Sequence, residues 1–272
     1  MKTGVVLNNN NMDENFRWCV ENNIPTCQLY TPKSFSDEES EKIKKARDES
    51  GIEITSMIAL GSGPHIYNFN DGPITLGIVP ITYRAIRMKE LIKSARFSVK
   101  LGVKDVCGHL GFIPENPSDS LYAEVVAMVK YLTSEYKKLG ARLNLETGQE
   151  TAITLHRLIN DVGADNLGLN FDPANLLMYG KANPLDALDI VGKYVNSVHA
   201  KDGEYPTNGL ALGNERPLGQ GRVNIPLFVK KLISVGYDGA LTIEREIEGD
   251  EQKQDILEAN SLLTSIIEFN GL

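Results

Sequence analysis

Short apolar runs alternate with helical patterns along the whole chain, and this alternation constrains the fold most. In one segment, the apolar run Leu167–Phe171 ends in Asp172, a helical pattern follows, and a second run, Val195–Val198, ends in His199. Short apolar runs bounded by turn residues are typical of buried parallel strands, which need long crossover connections between them. The pattern therefore predicts a parallel α/β architecture.

Eight strand–helix units fit the 272 residues, about one per 34 residues. The predicted strands are Thr3–Leu7, Cys27–Tyr30, Ile52–Leu60, Val103–Leu110, Ala141–Leu145, Leu167–Phe171, Val195–Val198 and Gly239–Ile243. The predicted helices are Asp13–Asn22, Ser36–Ser50, Ile81–Leu101, Ser118–Leu139, Gln149–Val162, Pro184–Val191, Ile225–Val235 and Glu251–Phe269. Two long loops, Gly61–Pro80 and Lys201–Val223, interrupt the pattern, and loops of this length are usually functional.

These units predict one (β/α)8 TIM barrel domain over residues 1–272, because single barrels of this kind run to roughly 250 residues. A doubly wound open sheet is the competing fold. It would need a glycine-rich phosphate loop after an early strand, and the sequence has none.

The formal net charge is −8, and a surface this acidic repels phosphate backbones and anionic lipids. We therefore expect neither nucleic acid nor a membrane as a partner. The three cysteines, Cys19, Cys27 and Cys107, form no CxxC pair and indicate reduced thiols. The apolar run near the N-terminus is too short for a signal sequence, and no stretch approaches about 20 apolar residues. The expected location is the cytoplasm.

Four residues that can bind a metal ion stand at the predicted ends of strands five to eight: Glu146, Asp172, His199 and Glu244. Neighbouring parallel strands lie about 4.8 Å apart, so residues at their ends can converge on one ion. Three carboxylates and one imidazole suit a divalent cation such as Mn²⁺, Mg²⁺, Co²⁺ or Zn²⁺. Each residue alone is weak evidence, and Asp172 could simply cap the next helix.

Glu246 competes with Glu244 as the ligand on strand eight, because the two residues share a face if the strand continues that far. Glu244 is preferred because it directly follows the apolar run Leu241–Ile243. Glu246 would then be a solvated carboxylate or a partner for Arg245 or Lys201.

Further polar residues near the strand ends have two interpretations each. His109 could contact substrate or line the barrel without a catalytic role. Lys201 and Asp202 could bind substrate or pair with each other. The Gly219-Gln220-Gly221 turn could bind a phosphate through its backbone N–H groups. Tyr67 and Phe69 are the aromatic candidates for a sugar-facing rim.

Five segments resemble the sugar phosphate isomerase/epimerase family, whose xylose isomerase-like TIM barrels are related to AP endonuclease family 2. The segments are LNLETG, GLNFDPANL, VNSVHAKD, PLGQGRVNIPLFVKKL and YDGALTIERE. The resemblance covers nearly the whole chain and is strongest from Gly102 to Glu246. In that family the four strand-end residues bind one divalent metal ion, which matches Glu146, Asp172, His199 and Glu244.

The resemblance also implies roles for individual residues. The two glutamates of the family act as acid and base, which would fall on Glu146 and Glu244. The substrate-contacting arginine best matches Arg216, with Arg222 as a competitor. The predicted substrate-binding residues are His109, Asn175, Lys201 and Arg216.

The same fold houses apurinic endonucleases that hold three zinc ions. Those enzymes have a histidine three residues after the strand-six aspartate, where this chain has Asn175. They also have an Asp-x-His pair where this chain reads Gly213-Asn214-Glu215. Two or three zinc ligands are therefore missing, and this absence together with the acidic charge disfavours DNA repair.

The predicted function is that of a metal-dependent isomerase or epimerase acting on a small sugar or sugar-like carbonyl compound. A divalent ion acidifies the proton next to a carbonyl, and two carboxylates can then remove and return it. One alternative is a lyase or dehydratase on a keto-sugar or keto-glycoside, similar to inosose dehydratase or a C-glycoside-cleaving enzyme. Another is a non-catalytic accessory barrel subunit. The sequence allows a homo-oligomer without requiring one.

Overall fold

Eight parallel strands close into a barrel in the computed structural model, which describes residues 1–271. The barrel strands are β1 (Lys2–Leu7), β2 (Thr26–Tyr30), β3 (Glu53–Ile58), β4 (Asp105–Gly108), β5 (Arg142–Glu146), β6 (Leu167–Phe171), β7 (Val195–Ala200) and β10 (Ala240–Ile243). Two further short strands are β8 (Asp202–Gly203) and β9 (Glu215–Arg216). The barrel order is β1-β10-β7-β6-β5-β4-β3-β2, and β8 and β9 form a separate antiparallel ribbon.

The helices cover the outside of the barrel. They are α1 (Met12–Glu21), α2 (Asp37–Ser50), α3 (Gly72–Thr75), α4 (Ile81–Lys100), α5 (Ser120–Leu139), α6 (Ala152–Val162), α7 (Pro173–Met178), α8 (Pro184–Val191), α9 (Ile225–Ser234) and α10 (Asp250–Phe269). A 3₁₀ turn, Gly192–Tyr194, follows α8. The predicted (β/α)8 TIM barrel is confirmed.

Several boundaries differ from the prediction because side-chain caps decide where helices begin. The sixth helix begins at Ala152 rather than Gln149, since the Thr151 hydroxyl accepts a hydrogen bond from the Thr154 backbone N–H at 3.3 Å. The short helix α7 was not predicted as a separate element. The two long loops also contain structure, because α3 lies in the first and the β8–β9 ribbon in the second.

Alternate residues of each strand face different layers, as the pleat requires. Leu145, Leu169, Val198 and Leu241 are buried in the apolar core between strands and helices. Their neighbours in the strands are polar and buried, and hydrogen bonds join them inside the barrel. Asn144, for example, donates to Asp105 Oδ1 at 2.8 Å. The barrel interior is therefore a polar layer, and the strand-end residues lie above it.

Arg87 of α4 holds the first long loop in place. Its guanidinium is fully buried and donates to the backbone oxygens of Ser62, Pro64 and Gly77 at 2.7–2.8 Å, and also to that of Thr75. These carbonyls stabilise the buried charge and order the loop at the mouth of the barrel.

The cysteines agree with the expectation of reduced thiols. Cys19, Cys27 and Cys107 are free and buried, as predicted. Within residues 1–271, no helix combines the length and the apolar character that a bilayer crossing requires.

Candidate metal centre

Glu146, Asp172, His199 and Glu244 converge at the carboxyl ends of four consecutive barrel strands. Each offers one ligand atom, and these atoms lie within 4.8 Å of one another with all four residues buried. His199 Nδ1 lies 3.2 Å from Glu146 Oε1, 3.1 Å from Glu244 Oε2 and 3.5 Å from Asp172 Oδ2. The strand order β5-β6-β7-β10 produces this convergence, because each residue ends or directly follows one of these strands.

Two of the four ligand atoms are buried without a hydrogen-bond partner among the described residues: Asp172 Oδ2 and His199 Nδ1. The other ring nitrogen, Nε2, lies 3.1 Å from Gln28 Oε1, which can only accept, and 3.1 Å from Asn170 Nδ2, which can only donate. A proton on Nε2 leaves the Nδ1 lone pair facing three carboxylates. Orphaned donors and acceptors are costly in a protein interior. The arrangement therefore fits a divalent cation between these atoms.

The electrostatics of the site also call for a cation at this point. Burial lowers the pKa of His199, but the nearby carboxylates of Glu244 and Glu146 raise it by a larger amount. The pKa of His199 therefore lies well above its usual value. Burial raises the pKa of Glu244, but His199 and Lys201 hold it well below the usual range. Burial raises the pKa of Asp172, which lacks an equally close basic partner. A bound divalent ion would take the place of the His199 proton.

Asp172 can serve both as a helix cap and as a metal ligand, because its two carboxylate oxygens have different surroundings. Oδ1 accepts a hydrogen bond from the Asn175 backbone N–H at 2.8 Å and caps α7. Oδ2 faces His199. Thr147 locks the strand end, because its hydroxyl pairs with both the N–H and the C=O of Asp172 at 2.8 Å. Capping the helix thus leaves one oxygen for a metal ion.

Three of the four predicted substrate-binding residues lie beside this centre. His109 Nε2 is 3.5 Å from Glu146 Oε1. The Asn175 amide lies between Glu146 Oε1 and Lys201 Nζ, at 3.4 Å from each. Lys201 is fully buried and lies 3.0 Å from Glu244 Oε2.

Arg216 lies apart from these three residues. It belongs to the β8–β9 ribbon, and its half-exposed guanidinium donates two hydrogen bonds to Glu204 Oε2, at 2.8 and 3.0 Å. Its predicted contact with substrate stays a prediction. Arg222, its competitor, is exposed.

Glu244, and not Glu246, joins the four-residue cluster. The side chain of Glu246 is 55% exposed, and its Oε1 lies 3.0 Å from Lys201 Nζ, as one of the predicted alternatives had it. The alternative that Lys201 pairs with Asp202 is wrong. The Asp202 carboxylate instead accepts four backbone N–H groups at 2.8–3.0 Å, from Gly203, Gly219, Gly221 and Val223.

The same hydrogen bonds argue against one open possibility, that the Gly219-Gln220-Gly221 turn binds a phosphate. The N–H groups of Gly219 and Gly221 are bonded to Asp202 and are not free for an anion. The Asp202 carboxylate accepts the N–H hydrogen bonds that a phosphate at this turn would need.

Aromatic rings pack against His109 and Tyr179. The Tyr67 ring packs edge-on against the His109 ring with centroids 5.5 Å apart. Phe69 and Phe112 both pack edge-on against Tyr179, at 6.1 and 5.8 Å. The sequence analysis named Tyr67 and Phe69 but missed Phe112 and Tyr179.

The sequence analysis also missed the polar layer below the four residues, although a signal for it exists. Polar residues stand two positions before each ligand candidate, and the period of a strand places them on the same face. They are Asn144, Asn170, Ser197 and Thr242. Asn170 Oδ1 accepts hydrogen bonds from Gln28 at 3.1 Å and from Ser197 at 2.6 Å. Gln28 lies on a distant strand and carries no such signal.

Comparisons with known proteins agree with the barrel fold. A family model described as xylose isomerase-like TIM barrel matches residues 16–266. The crystal structure of a xylose isomerase domain protein from Planctomyces limnophilus is 32% identical, with 98% of this chain and 96% of that one covered and a TM-score of 0.90. A D-tagatose 3-epimerase-like protein is 20% identical with a TM-score of 0.75, covers 99% of this chain and 98% of its own, and shares the fold.

A curated relative matches a smaller part of the chain. An uncharacterized protein of Methanocaldococcus jannaschii is 25% identical over 173 residues, which is 59% of this chain. The match spans 55% of the length of that relative. From the family model and the 32% identical structure, it follows that this chain belongs to the xylose isomerase-like TIM barrel family.

Proposed function

We propose that this protein is a divalent-metal-dependent isomerase or epimerase of a sugar or sugar-like carbonyl compound. One observation carries the proposal. Two buried glutamates, Glu146 and Glu244, lie 3.2 and 3.1 Å from His199 Nδ1, close to an oxygen of Asp172 that has no hydrogen-bond partner among the described residues. This set can hold a cation and supply two carboxylates for proton transfer at once.

The proposed chemistry is a proton transfer at the carbon next to a carbonyl. When bound, the divalent ion (Mn²⁺, Mg²⁺, Co²⁺ or Zn²⁺) polarises the carbonyl and stabilises negative charge that develops on the substrate oxygens. Glu146 and Glu244 end the outer two of four consecutive strands, so they approach the centre from two directions. One carboxylate takes the proton from carbon and the other returns it. Return to the opposite face gives an epimer, and return to the neighbouring carbon gives an isomer.

The surroundings support a carbohydrate substrate without a phosphate at the glycine turn. The Tyr67 ring, which packs against His109 beside Glu146, offers an apolar surface for a sugar ring. The turn N–H groups are taken by Asp202. The D-tagatose 3-epimerase-like neighbour has the same fold. The cytoplasmic location, the absence of nucleic acid and membrane partners, and any homo-oligomer stay predictions.

The test is proton exchange with solvent. A panel of free ketoses, ketose phosphates and keto-glycosides is incubated in D₂O with Mn²⁺ and followed by NMR. We expect deuterium to enter one carbon of a free ketose and an epimer or isomer to appear. Glu146→Gln keeps the shape of the side chain and should stop exchange without unfolding the protein, whereas Glu268→Gln on the surface should leave exchange unchanged.

Three outcomes would contradict the proposal. Full activity in Glu146→Gln would remove that residue from the reaction. An unsaturated product formed by loss of a β-substituent would replace the isomerase with the lyase. No exchange with any substrate of the panel, in a protein that binds Mn²⁺, would favour the accessory barrel subunit.

A further inference from the structure

The ammonium of Lys201 lies inside a shell of oxygens. Its nitrogen is 3.0 Å from Glu244 Oε2, 3.0 Å from Glu246 Oε1, 3.4 Å from Asn175 Oδ1 and 3.8 Å from Asp172 Oδ2. The side chain has no exposed surface. The ammonium donates hydrogen bonds to Glu244 and Asn175 and forms an ion pair with Glu246, so oxygens of the chain itself surround it.

Two of these oxygens also face the proposed metal position. Glu244 Oε2 lies 3.1 Å from His199 Nδ1, and Asp172 Oδ2 lies 3.5 Å from it. These two carboxylate oxygens therefore lie between the proposed metal position and the Lys201 ammonium, and they favour positive charge at both places. Carboxylates shared in this way join paired metal ions in two-metal sites. Here the second place is occupied by an amine of the protein.

The charges of the buried groups explain why an amine suits this place. Glu146, Asp172 and Glu244 are buried and carry three negative charges when ionised. Buried charges are stable only when paired. One divalent ion and the Lys201 ammonium together balance the three carboxylates. Glu246 is 55% exposed, and solvent stabilises its charge.

We propose that Lys201 is a built-in second cation of this centre, which limits the site to one divalent metal ion. The proposal rests on the proposed metal centre and gives Lys201 a role other than the predicted contact with substrate. Lys201 holds Glu244 and, through Asn175, Glu146 in place around the metal position. Removing the ammonium while leaving its space open would create an oxygen-lined site next to the first.

The test is the number of Mn²⁺ ions per chain, measured by elemental analysis after equilibrium dialysis. We expect one ion in the wild type and two in Lys201→Ala, where the oxygens remain and the ammonium is gone. Lys201→Met fills the space without charge and should bind no more than one. The double variant Lys201→Ala with Glu246→Gln removes one ligand of the new site and should return to one.

Thermal unfolding supplies a second measurement that does not depend on activity. In the presence of a chelator, Lys201→Ala should unfold at a lower temperature than the wild type. Added Mn²⁺ should raise the unfolding temperature of Lys201→Ala by more than it raises that of the wild type. Lys201→Ser, which also leaves space, should behave in the same way. If neither variant folds even at saturating Mn²⁺, the proposal is wrong, because a second ion would replace the missing charge.

Other outcomes separate this proposal from the proposed function. One ion in Lys201→Ala, or two in the wild type, would overturn the role of Lys201 and leave the metal centre intact. No ion in the wild type would overturn the proposed metal centre and, with it, the role of Lys201 as its second cation. One ion in the wild type without turnover of any ketose would count against the proposed function alone.

Discussion

The side-chain oxygen of Gln28 lies 3.1 Å from Nε2 of His199, although 171 positions separate the two residues in the chain. Gln28 belongs to β2 and reaches His199 on β7 across the interior of the barrel. Its own amide donates to Asn170 Oδ1 at 3.1 Å, which fixes its orientation. The Asn170 amide nitrogen also lies 3.1 Å from Nε2, and the other ring nitrogen, Nδ1, faces the three carboxylates.

The first prediction concerns this contact. Gln28→Leu removes the acceptor that orients His199 and should weaken Mn²⁺ binding about 10- to 100-fold, the usual effect of losing a residue that orients a metal ligand. Calorimetric titration measures the dissociation constant. Ser56→Ala is the matched control, because Ser56 is equally buried inside the barrel but bonds to the Asp105 backbone oxygen. Equal affinities in Gln28→Leu and the wild type would show that the contact does not orient the ligand.

Asp172 allows the helix cap to be separated from the metal site. In a chelator, Asp172→Ala loses the Oδ1 acceptor of α7, and Asp172→Asn keeps an oxygen there. The alanine variant should therefore be about 1 kcal/mol less stable than the asparagine variant, the usual contribution of an N-cap. Urea unfolding of the two variants measures the difference. Identical midpoints and slopes would show that the cap contributes nothing to stability.

The fold and the four central residues followed from the sequence because their signals are local. A strand's apolar run and the polar residue that ends it lie within a few positions, as in Leu167–Phe171 and Asp172. Parallel pairing then places successive strand ends at one edge. The choice of Glu244 over Glu246 also rested on a local signal, namely the residue that directly follows the apolar run.

The contacts that the sequence did not reveal are long-range. Gln28 meets His199 only after the barrel closes, and Lys201 meets Glu246 only because β7 and β10 are neighbours. Asp202 looked like a partner for the adjacent Lys201, but its carboxylate bonds to a turn up to 21 residues away. Both backbone N–H groups and side-chain donors can bond to a carboxylate. The sequence does not show which of these donors the fold brings close to Asp202.

That contact predicts the effect of a small substitution in the glycine turn. A Cβ at Gly221 would lie 2.1 Å from Asp202 Oδ1 and 2.6 Å from the Gly203 backbone nitrogen, so Gly221→Ala must displace the carboxylate. We expect a loss of about 2 kcal/mol or more of unfolding free energy. Gly209→Ala in the same loop is the control, since no atom lies within 4 Å of its Cβ. Equal stability of the two variants, measured by urea unfolding, would contradict the role of Asp202 in holding the turn.

Glu150 predicts a dependence of stability on pH. Burial raises the pKa of Glu150 from 4.5 to about 8, and its Oε2 has no hydrogen-bond partner among residues 1–271. The folded protein thus keeps this proton up to about pH 8, whereas the unfolded chain releases it near pH 4.5. Between pH 4.5 and about 8 the folded state binds more protons than the unfolded state. The contribution of protonated Glu150 to the free energy of unfolding is therefore complete below pH 4.5 and is lost as the pH rises to about 8.

Replacing this carboxyl with an amide should remove that dependence. Glu150→Gln should gain stability relative to the wild type as the pH rises from about 5 to about 8, by a total on the order of a few kcal/mol. Urea unfolding of both proteins across this range measures the difference. Glu268→Gln, which replaces an exposed carboxylate at the end of α10, is the control and should show no comparable trend. A stability difference that does not change with pH would show that Glu150 is ionised in the folded protein.

The central claim is that Glu146, Asp172, His199 and Glu244 hold one divalent metal ion. The most direct test is the metal content, by mass spectrometry, of protein purified without a metal-affinity tag, for the wild type and for Asp172→Asn, which keeps the helix cap. We predict about one divalent ion per chain in the wild type and its loss in the variant. A wild type that contains no ion, and takes up none when Mn²⁺, Co²⁺ or Zn²⁺ is added, would contradict the claim.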